Sequence, residues 1–119
     1  WKYIALRYPE YTQNISLRQR KQILERFNKK QKEHFKRINT TDPATPFSHI
    51  SLIPGGGGAE AASTGKYSAY YDPDQLYNLN RDPHEQKNLA NLPEYKDKLS
   101  EMKQELKKYL NQLPGEFVL

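Results

Sequence analysis

Residues 76–90, Leu76-Tyr-Asn-Leu-Asn-Arg-Asp-Pro-His-Glu-Gln-Lys-Asn-Leu-Ala90, lead directly into an amphipathic helical pattern, and their reading decides the fold. Leu76, Tyr77 and Leu79 form a short apolar run interleaved with polar residues, the pattern of a strand. Asn80-Arg81-Asp82-Pro83 then stops any ladder, because Pro83 has no N–H to donate and Asp82 favours turns. The stretch therefore reads as strand, tight polar turn and helix approach. Beyond it, Pro93 suits a first helical position and Glu94 complements the positive end of a helix. Tyr95, Leu99, Met102, Leu106, Tyr109 and Leu113 recur at four-three spacing, one continuous apolar stripe. This predicts a helix over 93–112, with Lys107 and Lys108 favouring its C-terminal end and Pro114-Gly115 ending it. Such a helix must cover a sheet or a partner helix.

Upstream, Asp72-Pro73-Asp74 reads as a turn, and Tyr67, Ala69 and Tyr71 would share one face of an extended Lys66–Tyr71 segment. That predicts a hairpin with strand 75–79. Residues 1–8, rich in aromatic and β-branched types, predict another strand ended by Pro9. Ser16 suits an N-cap, and Leu17, Ile23, Leu24, Phe27, Phe35 and Ile38 at approximate three-four spacing predict a long helix closed by Asn39-Thr-Thr-Asp-Pro43. Residues 40–66 are expected to be a flexible loop, since Pro43, Pro46 and Pro54 break regular structure and Gly55 to Gly58 form a flexible tract. His49–Ile53 is a candidate short strand within it. The fold class expected is α+β: a small antiparallel sheet with a C-terminal amphipathic helix packed on it, plus an inserted long basic helix.

Length and composition bound the rest. The 119 residues set a ceiling of one domain with a small core, and only 35% are hydrophobic, a low share for a self-sufficient globular domain. The opening residue, Trp1, already begins a strand pattern, so a single subdomain cut from a larger protein is expected. No apolar run approaches ~18 residues, so no membrane span is predicted. There is no cysteine, hence no disulfide and no thiolate metal site in this segment. The net charge of +5 is concentrated: residues 16–39 carry nine Lys and Arg against Glu25 and Glu33, which leaves the remainder slightly acidic.

The chemical motifs are mostly negative. A phosphate-binding loop ending at Gly65-Lys66 would need glycine at position 60 and Ser or Thr at 67, where the chain has Glu60 and Tyr67. A calcium loop opening at Asp72 would need glycine where Tyr77 stands. His34, His49 and His84 lack ligand spacing. His34 reads as solvated on the basic helix and His84 as a turn residue, whereas His49, beside glycine-rich backbone, is the candidate for a substrate rim. Asp82, Glu85 and Asn88 read as turn and helix-start residues whose side chains satisfy backbone amides. The basic helix is a solvated charged face or a surface for a polyanion. Nucleic acid is disfavoured because aromatic interleaving and any reader motif are missing. Asn14-Ile-Ser16 and Asn39-Thr-Thr41 fit the N-glycosylation sequon, which matters only in a secreted eukaryotic protein.

The turn segment resembles the C-terminal signature of the sulfatase family, in which a "LYDL-x-x-DP-x-E-x-x-NLA" segment leads into the last helix. Lys2-Tyr3-Ile4 and Arg7-Tyr8-Pro9 resemble the family's "KYI" strand ending near an aromatic and a proline. The resemblance covers residues 1–9 and about 70–113, roughly half the chain, and leaves the long basic helix as a family-variable insertion. It implies the smaller C-terminal subdomain of a type I sulfatase, within the alkaline-phosphatase-like superfamily, partnered by the N-terminal catalytic domain of the same parent chain. In the family that larger α/β domain holds calcium and a formylglycine made from Cys or Ser in a "C/S-x-P-x-R" motif. No such motif is present here: neither Ser48 nor Ser51 is followed by proline at the second position. The family's acidic calcium ligands also have no matching positions. The resemblance thus implies no catalytic or metal residue in this segment, inactivity of the segment alone, and a parent that hydrolyses sulfate esters, with a sulfated sugar as one class of substrate. It also implies a periplasmic, secreted or lysosomal setting. A phosphonate-monoester hydrolase is a near alternative; a non-enzymatic basic helical module that binds a polyanion or partner protein is a distant one.

Overall fold

The computed structural model describes residues 1–8, 10–35, 40–48, 52–57, 60, 63 and 66–119. The chain divides into two compact units, residues 1–7 with 68–119 and residues 8–67. The fold class is α+β, as the alternation and helical stripe predict, with the C-terminal helix packed on a two-stranded antiparallel sheet.

In the first unit, β1 (Lys2–Ala5) pairs with β2 (Asp74–Tyr77) in the register Lys2–Tyr77, Tyr3–Leu76, Ile4–Gln75 and Ala5–Asp74. A further backbone bond from the Leu6 N–H to the Pro73 carbonyl, 2.8 Å, extends the pairing. The expected hairpin partner of β2 is corrected. Residues 68–71 form a turn, with the Asp72 N–H bonded to the Ala69 carbonyl at 2.9 Å. The Tyr67 N–H closes a helical bond to the Ser63 carbonyl instead of a ladder. Ala69 is buried there, but between turn residues that leave no strand edge for β2.

The period of two sorts the sheet faces. Tyr3, Leu76 and Asp74 share one face, and α2 (Lys96–Leu110), entered through the 3-10 turn Pro93–Tyr95, lies on it. Leu76 is fully buried with Leu89 and Ala90, and Tyr3, Leu92, Tyr95, Leu99 and Met102 pack around them. Leu89 therefore tucks beneath the last helix. A fully buried leucine contributes about 1.5–3 kcal/mol. The apolar stripe of α2 is covered only through its first turns. Tyr109 is 65% exposed and Leu113 61%.

The second unit is built on α1 (Leu17–Phe35). Ser16 caps it as predicted, and a reciprocal box forms. The Gln19 N–H donates to Ser16 Oγ at 3.3 Å and the Ser16 N–H to Gln19 Oε1 at 3.0 Å. Residues 36–39, including Ile38 and the second sequon's asparagine, lie outside the described residues. Leu24 is buried, and Arg20 reaches across to residues 43–47. Its Nε donates to the Pro43 carbonyl at 2.6 Å, its Nη2 to the Thr45 carbonyl, and its guanidinium lies 3.9 Å from the centre of the buried Phe47 ring.

An isolated antiparallel bridge joins Phe47 and Pro54, with the Ser48 N–H bonded to the Ile53 carbonyl at 2.7 Å and the Gly55 N–H to the Pro46 carbonyl at 2.8 Å. Much of the expected strand His49–Ile53 lies outside the described residues. Gly56 has φ 72°, and a Cβ placed there would come within 2.6 Å of the Glu60 Cβ. The glycine thus serves a left-handed turn that lets the Glu60 carboxylate accept from the Gly57 N–H at 3.1 Å and from the Ser48 hydroxyl. We expect Gly56→Ala to destabilise the protein by about 1–2 kcal/mol, combining left-handed strain with displacement of Glu60. Thermal unfolding followed by circular dichroism measures it, and an unchanged midpoint would contradict this account of the turn.

Candidate functional site

The 72–90 segment is held by side chains that replace missing backbone partners. Leu76 turns its own N–H and C=O away from β1. The N–H donates to Asn88 Oδ1 at 2.9 Å and the C=O accepts from the Leu89 N–H at 2.9 Å. Asn88 Oδ1 also accepts from the Ala90 N–H at 3.0 Å, and its Nδ2 donates to Asp72 Oδ2 at 2.8 Å and to the Asp74 carbonyl at 3.0 Å. One amide therefore ties the turn before β2, the free edge of β2 and the approach to α2. Asp82 holds the intervening turn, its carboxylate accepting from the Lys87 N–H at 2.8 Å. Bonds from the backbone of Gln86 and Lys87 keep its pKa below the usual carboxylate range.

Glu85 departs from the helix-start role expected of it. Its φ is 55°, and its carboxylate pairs with Lys2 Nζ at 2.8 and 2.9 Å rather than with backbone. The helix begins eight residues later, so no orphan helical N–H lies within its reach. A left-handed non-glycine residue costs about 1–2 kcal/mol. The ion pair, partly exposed on both sides, offsets only part of that.

A second centre, absent from the sequence reading, forms on Asp74. Tyr3 Oη donates to Oδ1 at 2.7 Å, Arg7 Nη2 to Oδ1 at 2.8 Å, and Lys103 Nζ to Oδ2 at 2.5 Å. Arg7 also donates to the Pro73 carbonyl. Burial on its own would raise the Asp74 pKa, but hydrogen bonds from Lys103, Arg7 and Tyr3 outweigh it and hold it at about 2. Burial, reinforced by the bond to Asp74, pushes the Tyr3 phenol up to about 12. Asp74 is thus a fixed anion held by three donors, unsuited to proton transfer near neutral pH. The signal that could have found it is the strand period: Tyr3 and Arg7 lie on alternate positions of one extended segment, opposite an acid flanking Leu76.

His49, the sequence-derived rim candidate, lies outside the described residues. His84 is exposed in the turn, where its carbonyl accepts from Gln86 Nε2 at 2.6 Å, and His34 is exposed on α1. In that turn the imidazole of His84 stands near the carboxylate of Asp82 and helps to hold its pKa down. Among the described residues, no group of three His, Cys, Asp or Glu is placed to hold a metal ion, and no helix is long and apolar enough to cross a membrane. The exposed cations of α1 form the other marked feature. Of Arg18, Lys21, Arg26, Lys29, Lys30 and Lys32, Lys21 alone pairs with an acid among the described residues, with Glu25 at 3.9 Å.

Two outcomes test these assignments. Asn88→Ala should destabilise the protein by about 2–4 kcal/mol, because the Leu76 N–H and the Asp74 carbonyl lose their partners together; chemical denaturation measures it. Asp74, depressed from its ordinary value of 3.8, contributes about 2 kcal/mol at neutral pH. That contribution is complete above about pH 5 and falls away as pH drops toward 2. Stability curves from pH 6 to 2 should slope less steeply for Asp74→Asn than for the unaltered protein, and parallel curves would refute the shift.

Comparison with protein-family models finds no match to this chain, and comparisons with curated proteins and with solved structures find none either.

Proposed function

We propose that the chain is the C-terminal subdomain of a sulfatase-like hydrolase, a structural piece that supports a catalytic domain of the same parent protein. The observation that carries the reading is the 76–90 segment. Its residues resemble the sulfatase C-terminal signature, and Asp82 and Asn88 within it serve backbone amides rather than a reacting group. A terminal clasp needs this division of labour: acids and amides that fix a turn, and an apolar residue, Leu89, that seats the following helix. The half-covered stripe of α2 adds support, since Tyr109, Leu113 and Phe117 offer apolar area to a larger body. On this reading calcium and formylglycine belong to the parent's catalytic domain, and sulfate-ester hydrolysis is the parent's activity. The chain's own contributions are stability and, through residues 40–66 with His49, part of a substrate rim.

A second reading rests on α1. Its row of exposed Lys and Arg suits a polyanion, and a binding module of that kind needs no catalytic domain.

The purified 119-residue chain should not turn over 4-nitrophenyl sulfate. The product of the complete gene should do so, and should lose turnover when the Cys or Ser of an upstream Cys/Ser-x-Pro-x-Arg motif is replaced by Ala. A gene without that motif would refute the sulfatase reading. Binding of the chain to heparin or nucleic acid with a steep salt slope would then favour the second.

A further inference from the structure

Between α1 and Ile53 lies a feature that the clasp reading leaves unused. Ile23, Phe27 and Ile53 line an open cavity of about 530 Å3, with Arg26, Lys29, Lys30 and Glu33 around it. The three apolar residues are half-buried, whereas the four charged ones are exposed. Helical spacing explains the arrangement. Ile23 and Phe27 stand one turn apart, as do Arg26 and Lys30, so two cations run alongside an apolar strip. Ile53 supplies the opposing wall. Its carbonyl accepts from the Ser48 N–H at 2.7 Å and from the Gly56 N–H at 3.0 Å, which fixes its backbone within its own loop.

The electrostatics are one-sided. Three cations face one carboxylate, and among the described residues Arg26, Lys29 and Lys30 make no ion pair. Glu33 lies one turn beyond Lys30, so the positive field is strongest beside Ile23 and Phe27. The volume falls in the range of small-ligand sites. A hydrated polyanion would engage the rim and leave the apolar floor uncovered. A neutral apolar molecule would use the floor and leave the cations unmatched.

We propose that this cavity binds a single-headed anionic amphiphile. Its tail lies on Ile23, Phe27 and Ile53, and its carboxylate, sulfate or phosphate head sits between Arg26 and Lys30. The proposal is independent of the sulfatase reading, since it concerns a helix outside the segments that carry that resemblance, and it stands or falls separately.

The test is an NMR titration of the isotope-labelled 119-residue protein with acetate, hexanoate, octanoate, decanoate and 1-octanol. Saturable shifts should centre on Ile23, Phe27 and Ile53, with affinity rising about fourfold for each methylene added. Octanoate should bind more tightly than 1-octanol at low salt and lose that advantage as salt is raised. Arg26→Glu combined with Lys30→Glu should weaken decanoate at least tenfold while leaving 1-octanol unchanged, and Lys30→Gln should weaken it about threefold. Both altered positions carry exposed side chains, and thermal melts verify that the fold is kept. Four results would overturn the proposal: octanol binding as tightly as octanoate, acetate binding as tightly as decanoate, shifts spread over the Leu76 core, or no saturable binding of monomeric decanoate beside binding to vesicles of anionic phospholipid, which would mark a membrane surface instead.

Discussion

The amide of Asn88 occupies the place of a third strand. A two-stranded sheet is marginal in water, because each strand leaves an edge of unpaired N–H and C=O groups. Here one edge of β2 is taken by β1, and the other would be bare at Leu76, the most deeply buried residue of the unit. Asn88 Oδ1 and the Leu89 N–H satisfy that residue's two backbone groups, and Nδ2 binds the chain on either side of Pro73. Leu76 can be buried only because this is done, and Leu89, Ala90 and α2 can then pack over it. The short apolar cluster and the polar clasp are therefore one construction.

Charge assists where apolar area is scarce. The first unit buries few large side chains, and α2 has no fully buried residue. Its attachment to the sheet is reinforced by Lys103, which reaches Asp74 from the middle of the helix while its ammonium lies 6.0 Å from the centre of the Tyr3 ring. At the N-terminal entry to the helix Trp1 meets Tyr95 with ring centres 5.8 Å apart. Aromatic and ionic contacts thus extend the footprint of a helix whose leucines alone would hold it weakly.

Much of this was legible in the sequence where the signal is local. The stripe of Tyr95, Leu99 and Met102, the Ser16 cap and the polar turn at Asp82 each depend on residues a few positions apart, and each forms as its pattern predicts. Pairing was not legible. Tyr67, Ala69 and Tyr71 have the alternation of a strand, but β2 finds its partner near the chain start, some seventy residues away, where no spacing rule reaches. The Asp74 centre is legible only in part: the strand period puts Tyr3 and Arg7 on one face, but their meeting with Asp74 and Lys103 waits on the placing of β1 and α2. Glu85 was misread because an acid before a helix suggests a cap, whereas its left-handed backbone directs it to Lys2.

The bond between the Leu6 N–H and the Pro73 carbonyl has a topological meaning. It joins the segment by which the chain leaves the first unit, after Arg7, to the segment by which it returns, from Ser68, so residues 8–67 form an excursion from a nearly closed doorway. A short connector could bridge such a doorway, and the sheet, clasp and C-terminal helix would retain every contact described for them. Shortening a loop of about sixty residues to a handful would also lower its closure entropy by roughly 2 kcal/mol. The segment that carries the basic helix is thus a cassette in the topological sense, one whose length the contacts within the first unit do not dictate.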